Sequence, residues 1–164
     1  MRFLLLFSFL STIAFSQKQL IANKITEKIS IDGELKEAAW QNNRQFENWI
    51  QIKPEPGKAS AVATSVQLCY DDDAVYFSFY CQDHPDSISK VLSLRDDYNP
   101  NCDIIGIFLD TYNDNQNGFY FGITSRGVQL DAKISANDYN DRLNLVWHSA
   151  VSVVEDGWIA EIRI

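Results

Sequence analysis

The sequence has little positive charge, and this excludes one large class of ligand. Its 164 residues include 14 lysines and arginines against 22 aspartates and glutamates, which gives a formal net charge of -8. A chain with this balance lacks the basic surface that attracts phosphate groups. Nucleic acid is therefore excluded as a partner.

Familiar catalytic motifs are also missing. The sequence contains no G-x-S-x-G nucleophile elbow, and His84 and His148 have no partner at metal-ligand spacing. Its carboxylates fall mainly in turns, where water keeps them ionised, whereas glycoside hydrolysis needs two carboxylates that flank a cleft. We therefore expect that this chain alone is not an enzyme.

Cysteine is scarce, and its spacing argues against a zinc site. Cys69, Cys81 and Cys102 include no C-x-x-C pair, and an odd number leaves at least one unpaired. If residues 65–81 form a hairpin with a four-residue turn, strand alternation places Cys69 and Cys81 on opposite faces. This spacing favours free, packed thiols over the disulfide that an exported protein could form.

Long hydrophobic runs are absent apart from one at the N-terminus. Residues 3–10 are almost entirely apolar, Arg2 precedes them, and small residues stand at positions 14 and 16 before Gln17. This order is typical of a secretory signal peptide, residues 1–16, with cleavage before Gln17. The run is shorter than the about 20 apolar residues of a membrane anchor. We therefore predict export to the periplasm, the outer membrane or the extracellular space.

The rest of the chain consists largely of short segments in which apolar and polar residues alternate. Such alternation predicts strands with one buried face, separated here by turns rich in Asp, Asn and Gly. The nearly continuous apolar run at residues 104–109 predicts a central strand covered on both faces. Residues 135–144 are polar and predict a long loop. The other predicted strands cover residues 65–70, 75–81, 119–124, 128–134, 145–154 and 158–164.

A single helical turn is indicated, at residues 35–40. Many short strands with so little helix predict an all-β fold, an antiparallel β-sandwich of jelly-roll type with one short N-terminal helical turn. Its length fits one domain over residues 17–164. Because the last strand pattern runs to Ile164 without a closing turn, we expect the domain to be truncated at its C-terminus.

Two signatures frame this domain. Residues 31–40, IDGELKEAAW, indicate a strand end, an Asp-Gly turn and a helical turn closed by an aromatic residue. Residues 157–164, GWIAEIRI, indicate a final strand entered through a glycine. Between them lie PEPGKAS at 54–60, Arg95-Asp96, and GVQLD at 127–131. In order and spacing these pieces resemble the family 9 carbohydrate-binding module, in the variant found N-terminal to bacterial outer-membrane barrel proteins.

The resemblance implies a non-catalytic module that binds an oligosaccharide or polysaccharide and serves polysaccharide catabolism at the cell surface. It also implies that a chain end is often held between two tryptophans, that calcium ions can support the loops, and that no cofactor is required. Similar modules accompany glycoside hydrolases, so the expected partner beyond this sequence is a hydrolase domain or an outer-membrane barrel. The alternative is a structural or interaction domain of a barrel protein without a working sugar site.

Sugar binding needs an exposed aromatic plane for the apolar face of a pyranose and polar groups for its hydroxyls. Of the four tryptophans, Trp40 and Trp158 fit the apolar periodicity of the core. Trp49 and Trp147 flank loops and are the predicted platforms, with packing in the core as the alternative for both.

Four polar residues complete the predicted carbohydrate site. Arg95 and Asp96 lie where the resembling family has an arginine that can bind neighbouring hydroxyls, and Gln129 and Asp131 share the polar face of one strand. The alternative is that Arg95 pairs with Asp103 or Asp131 and ties loops to the sheet.

Calcium has candidate ligands in acidic turns. Asp71, Asp72 and Asp73, and Asp110 with Asp114, offer carboxylate oxygens of the kind that Ca²⁺ prefers. Such turns are also common without a metal, so the site stays unassigned.

Overall fold

The computed structural model of the protein describes residues 19–89 and 91–164. The predicted signal peptide, residues 1–16, lies outside them. Across the described part of the chain, no helix is long and apolar enough to cross a membrane. The elements there are β1 (Asn23–Lys24), α1 (Ala38–Gln41), β2 (Thr64–Tyr70), β3 (Val75–Gln82), β4 (Ile104–Leu109), β5 (Gly118–Thr124), β6 (Gln129–Ser135), β7 (Asp138–Asn140), β8 (His148–Val154) and β9 (Gly157–Arg163).

The strands form two sheets. One has the order β1-β2-β3-β9-β8 and the other the order β4-β5-β6-β7. Neighbouring strands are antiparallel in both sheets, except for the short parallel pair of β1 with β2. The predicted antiparallel β-sandwich is confirmed.

The main core lies between the two sheets, since both contribute side chains to it. Phe77 and Phe79 reach it from the five-stranded sheet together with Trp158, while Phe121 and Ile123 reach it from the four-stranded sheet. Alternate residues of a strand point to the same face, so the apolar positions of the alternating segments meet here.

A second apolar cluster covers the outer face of the five-stranded sheet. Trp40 of α1 packs there on Cys69 and Tyr76, which lie opposite one another on β2 and β3. The predicted hairpin register is thereby confirmed, and Cys81 lies on the other face, in the main core. Trp40 and Trp158 are both buried, as predicted, but on opposite faces of the sheet.

A buried carboxylate joins the two signatures. Glu161 of β9 accepts hydrogen bonds at Oε2 from the backbone N–H groups of Asp32 (3.0 Å) and Gly33 (2.7 Å). Its Oε1 accepts a third from Nε1 of Trp40 (2.8 Å). Burial raises the pKa of Glu161, and these donors partly offset that effect. The last strand therefore holds the N-terminal turn and helix in place.

Two sequence predictions about the four-stranded sheet were wrong. The apolar run at residues 104–109 forms β4, which is an edge strand, and Phe108 on its outer face is 70% exposed. The predicted loop at residues 135–144 contains β7, which pairs with β6. Apolar runs indicate burial only where something covers both faces of the sheet, and here one face stays open.

Candidate functional site

The four polar residues predicted for the site come together. Arg95, on the connection between β3 and β4, donates hydrogen bonds through Nη1 to Oε1 of Gln129 and through Nη2 to Oδ1 of Asp131. Its Nη2 also donates to the carbonyl oxygen of Leu145 (3.1 Å), and its Nε lies 3.4 Å from Oδ2 of Asp96. The guanidinium is thus fixed at the start of β6.

Asp131 holds this cluster in place from the core side of the sheet. Its side chain is fully buried, and besides Arg95 it accepts hydrogen bonds from the backbone N–H of Leu145 (2.7 Å) and from Nε1 of Trp147 (3.1 Å). Asp131 lies opposite Phe121 in the register of β5 and β6, so it points toward the core side of the sheet. The structure thus shows the alternative predicted for Arg95, which pairs with Asp131 and ties a loop to the sheet. Any contact of these four residues with a sugar stays a prediction.

Trp147 offers no open ring face. It is 5% exposed, and its ring packs edge-on against Phe121 with the ring centroids 5.5 Å apart. The expectation of an exposed platform at this position was therefore wrong, because a contact with a residue remote in sequence buries the ring. Trp147 instead supports Asp131 and, through it, Arg95.

Trp49 lies apart from the other predicted site residues. The residue is 40% exposed, and its Nε1 donates a hydrogen bond to the carbonyl oxygen of Thr64 (2.8 Å). It lines a groove of about 660 Å³ together with Gln82 and Asp156, at the end of the five-stranded sheet. None of the other five predicted residues lines this groove.

A second groove opens on the outer face of the four-stranded sheet. It has a volume of about 600 Å³, and aromatic side chains form its floor. The ring of Tyr120 in β5 lies between those of Phe108 in β4 and Tyr139 in β7, with centroid distances of 4.8 Å and 6.5 Å. Tyr98, on the same connection as Arg95, lines the groove as well. We call this the aromatic groove.

Carboxylates edge the aromatic groove. Asp96 and Asp141 line it, and Asp96 accepts a hydrogen bond at Oδ1 from the backbone N–H of Asp131 (2.8 Å). The groove therefore adjoins the Arg95 cluster through Asp96. Burial raises the pKa of Tyr120 to about 12, so its phenol is neutral near pH 7 and can donate a hydrogen bond.

The sequence did carry a signal for this surface. Phe108 and Tyr120 stand at positions that alternate with the buried residues Ile107 and Phe121, so they belong to the outer face of their strands. Aromatic residues on an outer face indicate a binding surface when nothing covers them. Sequence reasoning concentrated on tryptophan and so did not select them.

The carboxylates of the acidic turns accept hydrogen bonds mainly from groups within or next to their own turns. Asp71 accepts hydrogen bonds from two backbone N–H groups of its own turn and from the hydroxyl of Tyr76, and Asp110 and Asp114 likewise accept from backbone N–H groups. Backbone donors lower the pKa of Asp71, and Asn117 lowers that of Asp114. Within residues 19–89 and 91–164 no three His, Cys, Asp or Glu side chains converge as metal ligands. Calcium binding stays a prediction.

The structure defines a β-sandwich with two open grooves, and comparison with known proteins gives its family. The model of the family described as "Carbohydrate family 9 binding domain-like" matches residues 31–164, which is most of the chain. The protein therefore belongs to this family, and the predicted resemblance to the family is confirmed, while the variant N-terminal to outer-membrane barrels stays a prediction. Modules of this family are non-catalytic, which agrees with the expectation that the chain is not an enzyme.

Two solved structures show the same fold. Both are family 9 carbohydrate-binding modules from Caldicellulosiruptor kristjanssonii, one in complex with cellotriose and one with glucose. The first has a TM-score of 0.63 at 19% identity, and the match covers 89% of this chain and 67% of the chain in the solved structure. The second has a TM-score of 0.62 at 20% identity and covers 89% and 68%. No protein of curated function matches the sequence.

Proposed function

We propose that this module binds carbohydrate in the aromatic groove. The observation that carries the proposal is a row of three rings on a sheet face, the exposed Phe108 and Tyr139 with the half-buried Tyr120 between them, beside the carboxylates of Asp96 and Asp141. Membership of the family supports it, as do the cellotriose and glucose bound by the two similar structures.

The chemistry of the groove suits a neutral sugar. The C–H face of a pyranose is apolar and packs on aromatic rings, while its hydroxyls donate charge-assisted hydrogen bonds to carboxylates. The aromatic groove offers both on adjoining surfaces, with Asp96 held in place by the backbone of Asp131. Arg95, whose side chain is 38% exposed and paired with Asp96, offers a cationic donor for a further hydroxyl.

The proposed setting is the cell surface, in polysaccharide catabolism. The leader at residues 1–16 supports export, and the resemblance to modules that accompany glycoside hydrolases or outer-membrane barrels supports such a partner. Calcium support of the loops belongs to the same proposal and is tested separately, by the change in melting temperature on adding Ca²⁺ or a chelator.

Isothermal titration of the purified chain with glucose and with cellotriose tests the binding itself. Phe108→Ala or Tyr139→Ala removes one ring of the floor, and we expect the affinity to fall roughly tenfold, which corresponds to about 1.4 kcal/mol. Trp49→Ala is the matched control, because it removes an exposed ring from the other groove and should leave the affinity unchanged.

The results decide between the two grooves and the structural alternative. If Trp49→Ala abolishes binding while Phe108→Ala does not, the site lies in the groove of Trp49. If neither sugar, nor any member of a panel of plant and bacterial glycans, binds to the unmodified chain, the protein is a structural or interaction domain.

A further inference from the structure

Two glycines lie beneath the central ring of the aromatic groove. Gly106 in β4 and Gly122 in β5 are paired across the two strands, and the outer half of the Tyr120 ring lies over both. A Cβ atom at Gly106 would come within 2.5 Å of Cε2 of Tyr120, and one at Gly122 within 2.4 Å of its hydroxyl oxygen. Any side chain at either position would occupy the space of the ring.

Backbone conformation does not explain these glycines. Neither Gly106 nor Gly122 has a positive φ, in contrast to the turn glycines Gly33, Gly57 and Gly127. Glycine within a strand weakens it, because it adds backbone entropy to the unfolded chain and packs nothing. At these two positions, the absence of a side chain leaves the space that the Tyr120 ring occupies.

The ring would otherwise stand away from the sheet. Side chains in strands project roughly perpendicular to the sheet, and Tyr120 can extend along its strand over Gly122 only because no Cβ blocks the way. In this position its ring lies between Phe108 and Tyr139 and joins them into one continuous floor.

We propose that Gly106 and Gly122 are affinity-determining positions of the aromatic groove, because their missing side chains let Tyr120 lie down on the sheet as the central ring of the floor. The two glycines touch no ligand and act through Tyr120, so they are positioning residues. This inference rests on the proposed function, since it concerns how the same groove presents its rings to a sugar.

Gly106→Ala and Gly122→Ala test the proposal. The nearest atoms to each new methyl group belong to the far end of the Tyr120 side chain and not to the backbone, so the ring should be displaced while the strands stay paired. We expect the affinity for cellotriose to fall roughly fivefold or more, with a melting temperature equal to or above that of the unmodified chain. In NMR spectra the α-protons of the remaining glycine should lose the upfield shift that the overlying ring imposes.

A double-mutant cycle separates this role from a general structural one. In a Tyr120→Ala background, Gly106→Ala has no ring to displace, so it should change the affinity no further. If Gly106→Ala does not fold, Gly122→Ala decides the question in the same way.

Each outcome has a distinct meaning. If Phe108→Ala weakens binding but Gly106→Ala and Gly122→Ala bind as tightly as the unmodified chain, the role of the glycines is overturned and the proposed function stands. If the unmodified chain binds neither cellotriose nor glucose nor any glycan of the panel, the proposed function fails and the role of the glycines fails with it. An equal loss of affinity from Gly106→Ala with and without Tyr120 would also overturn the role, because the effect would not pass through the ring.

Discussion

Removing the carboxylate of Glu161 should destabilise the fold more than any surface substitution. Glu161 is fully buried and satisfies three donors, of which the N–H of Gly33 and Nε1 of Trp40 are themselves buried. In Glu161→Ala these donors lose their acceptor in a place that water does not reach. The turn after Asp32 and the helix that carries Trp40 then lose their attachment to β9.

The expected size of the effect follows from those contacts. An unsatisfied buried donor costs about 1–3 kcal/mol, and breaking a buried charged network costs about 3–5 kcal/mol. With donor distances of 2.7 Å to Gly33 and 2.8 Å to Trp40, we expect about 3–5 kcal/mol for Glu161→Ala. Domains are stable by about 5–15 kcal/mol, so this is a large part of the total.

Equilibrium unfolding in urea, followed by tryptophan fluorescence, measures this effect. The midpoint should fall for Glu161→Ala and stay unchanged for Glu155→Ala, an exposed glutamate in the turn before β9. Trp40→Phe removes the indole donor and part of the buried ring, so it should cost less in the Glu161→Ala background, where the donor has no acceptor to lose, than in the unmodified chain. An unfolding free energy of Glu161→Ala within about 1 kcal/mol of the unmodified chain would refute the reasoning.

The same carboxylate gives a pH dependence with a definite sign. Burial raises the pKa of Glu161 above its ordinary 4.5, so the folded state holds this proton more tightly than the unfolded chain does. Its contribution to stability is therefore full below about pH 4.5 and is lost as the pH rises through the raised pKa. Compared with Glu161→Gln, which does not titrate, the unmodified chain should lose unfolding free energy as the pH rises above about 4.5 and through the raised pKa. Urea unfolding measures both free energies at each pH. If the unfolding free energy of the unmodified chain minus that of Glu161→Gln stays constant or increases with pH, the raised pKa of Glu161 is contradicted.

Two further predictions concern the turns and the thiols. Gly33 and Gly127 have similar positive φ values of 84° and 79°, but a Cβ at Gly33 would lie 3.1 Å from backbone atoms of a neighbouring strand, whereas a Cβ at Gly127 would meet nothing within 4 Å. Gly33→Ala should therefore lower the melting temperature more than Gly127→Ala, and equal losses would show that crowding at Gly33 is unimportant. Burial raises the pKa of the Cys69 and Cys81 thiols to about 12, so iodoacetamide at about pH 8 should label the half-buried Cys102 first. Mass spectrometry of the peptides gives the order, and faster labelling of Cys69 or Cys81 would contradict their burial.

Part of the candidate site followed from the sequence. Alternation along one strand predicts Gln129 and Asp131, and the resemblance to the family implies Arg95 and Asp96. The structure brings all four together. Alternation cannot say which face of a strand the core will cover. Because Asp131 shares the side of Phe121, it is buried and supports Arg95 from within.

The tryptophans show the same limit. Trp147 follows a polar loop, a position that predicts exposure, but it is buried and packs on Phe121 of β5. Trp49 also flanks a loop and does stay exposed, in a groove that includes none of the other predicted residues. Position next to a loop therefore did not determine which ring faces solvent.

The sequence by itself determined the features that depend on near neighbours: most of the strands, the hairpin register that separates Cys69 from Cys81, and the two signatures of the family. These follow from strand periodicity and turn chemistry, which act over a few residues. Only the tertiary structure decided that β4 is an edge strand with Phe108 exposed, and that Tyr120 lies over Gly106 and Gly122. Both depend on which strands become neighbours and on what covers each face, and contacts between distant parts of the chain set these.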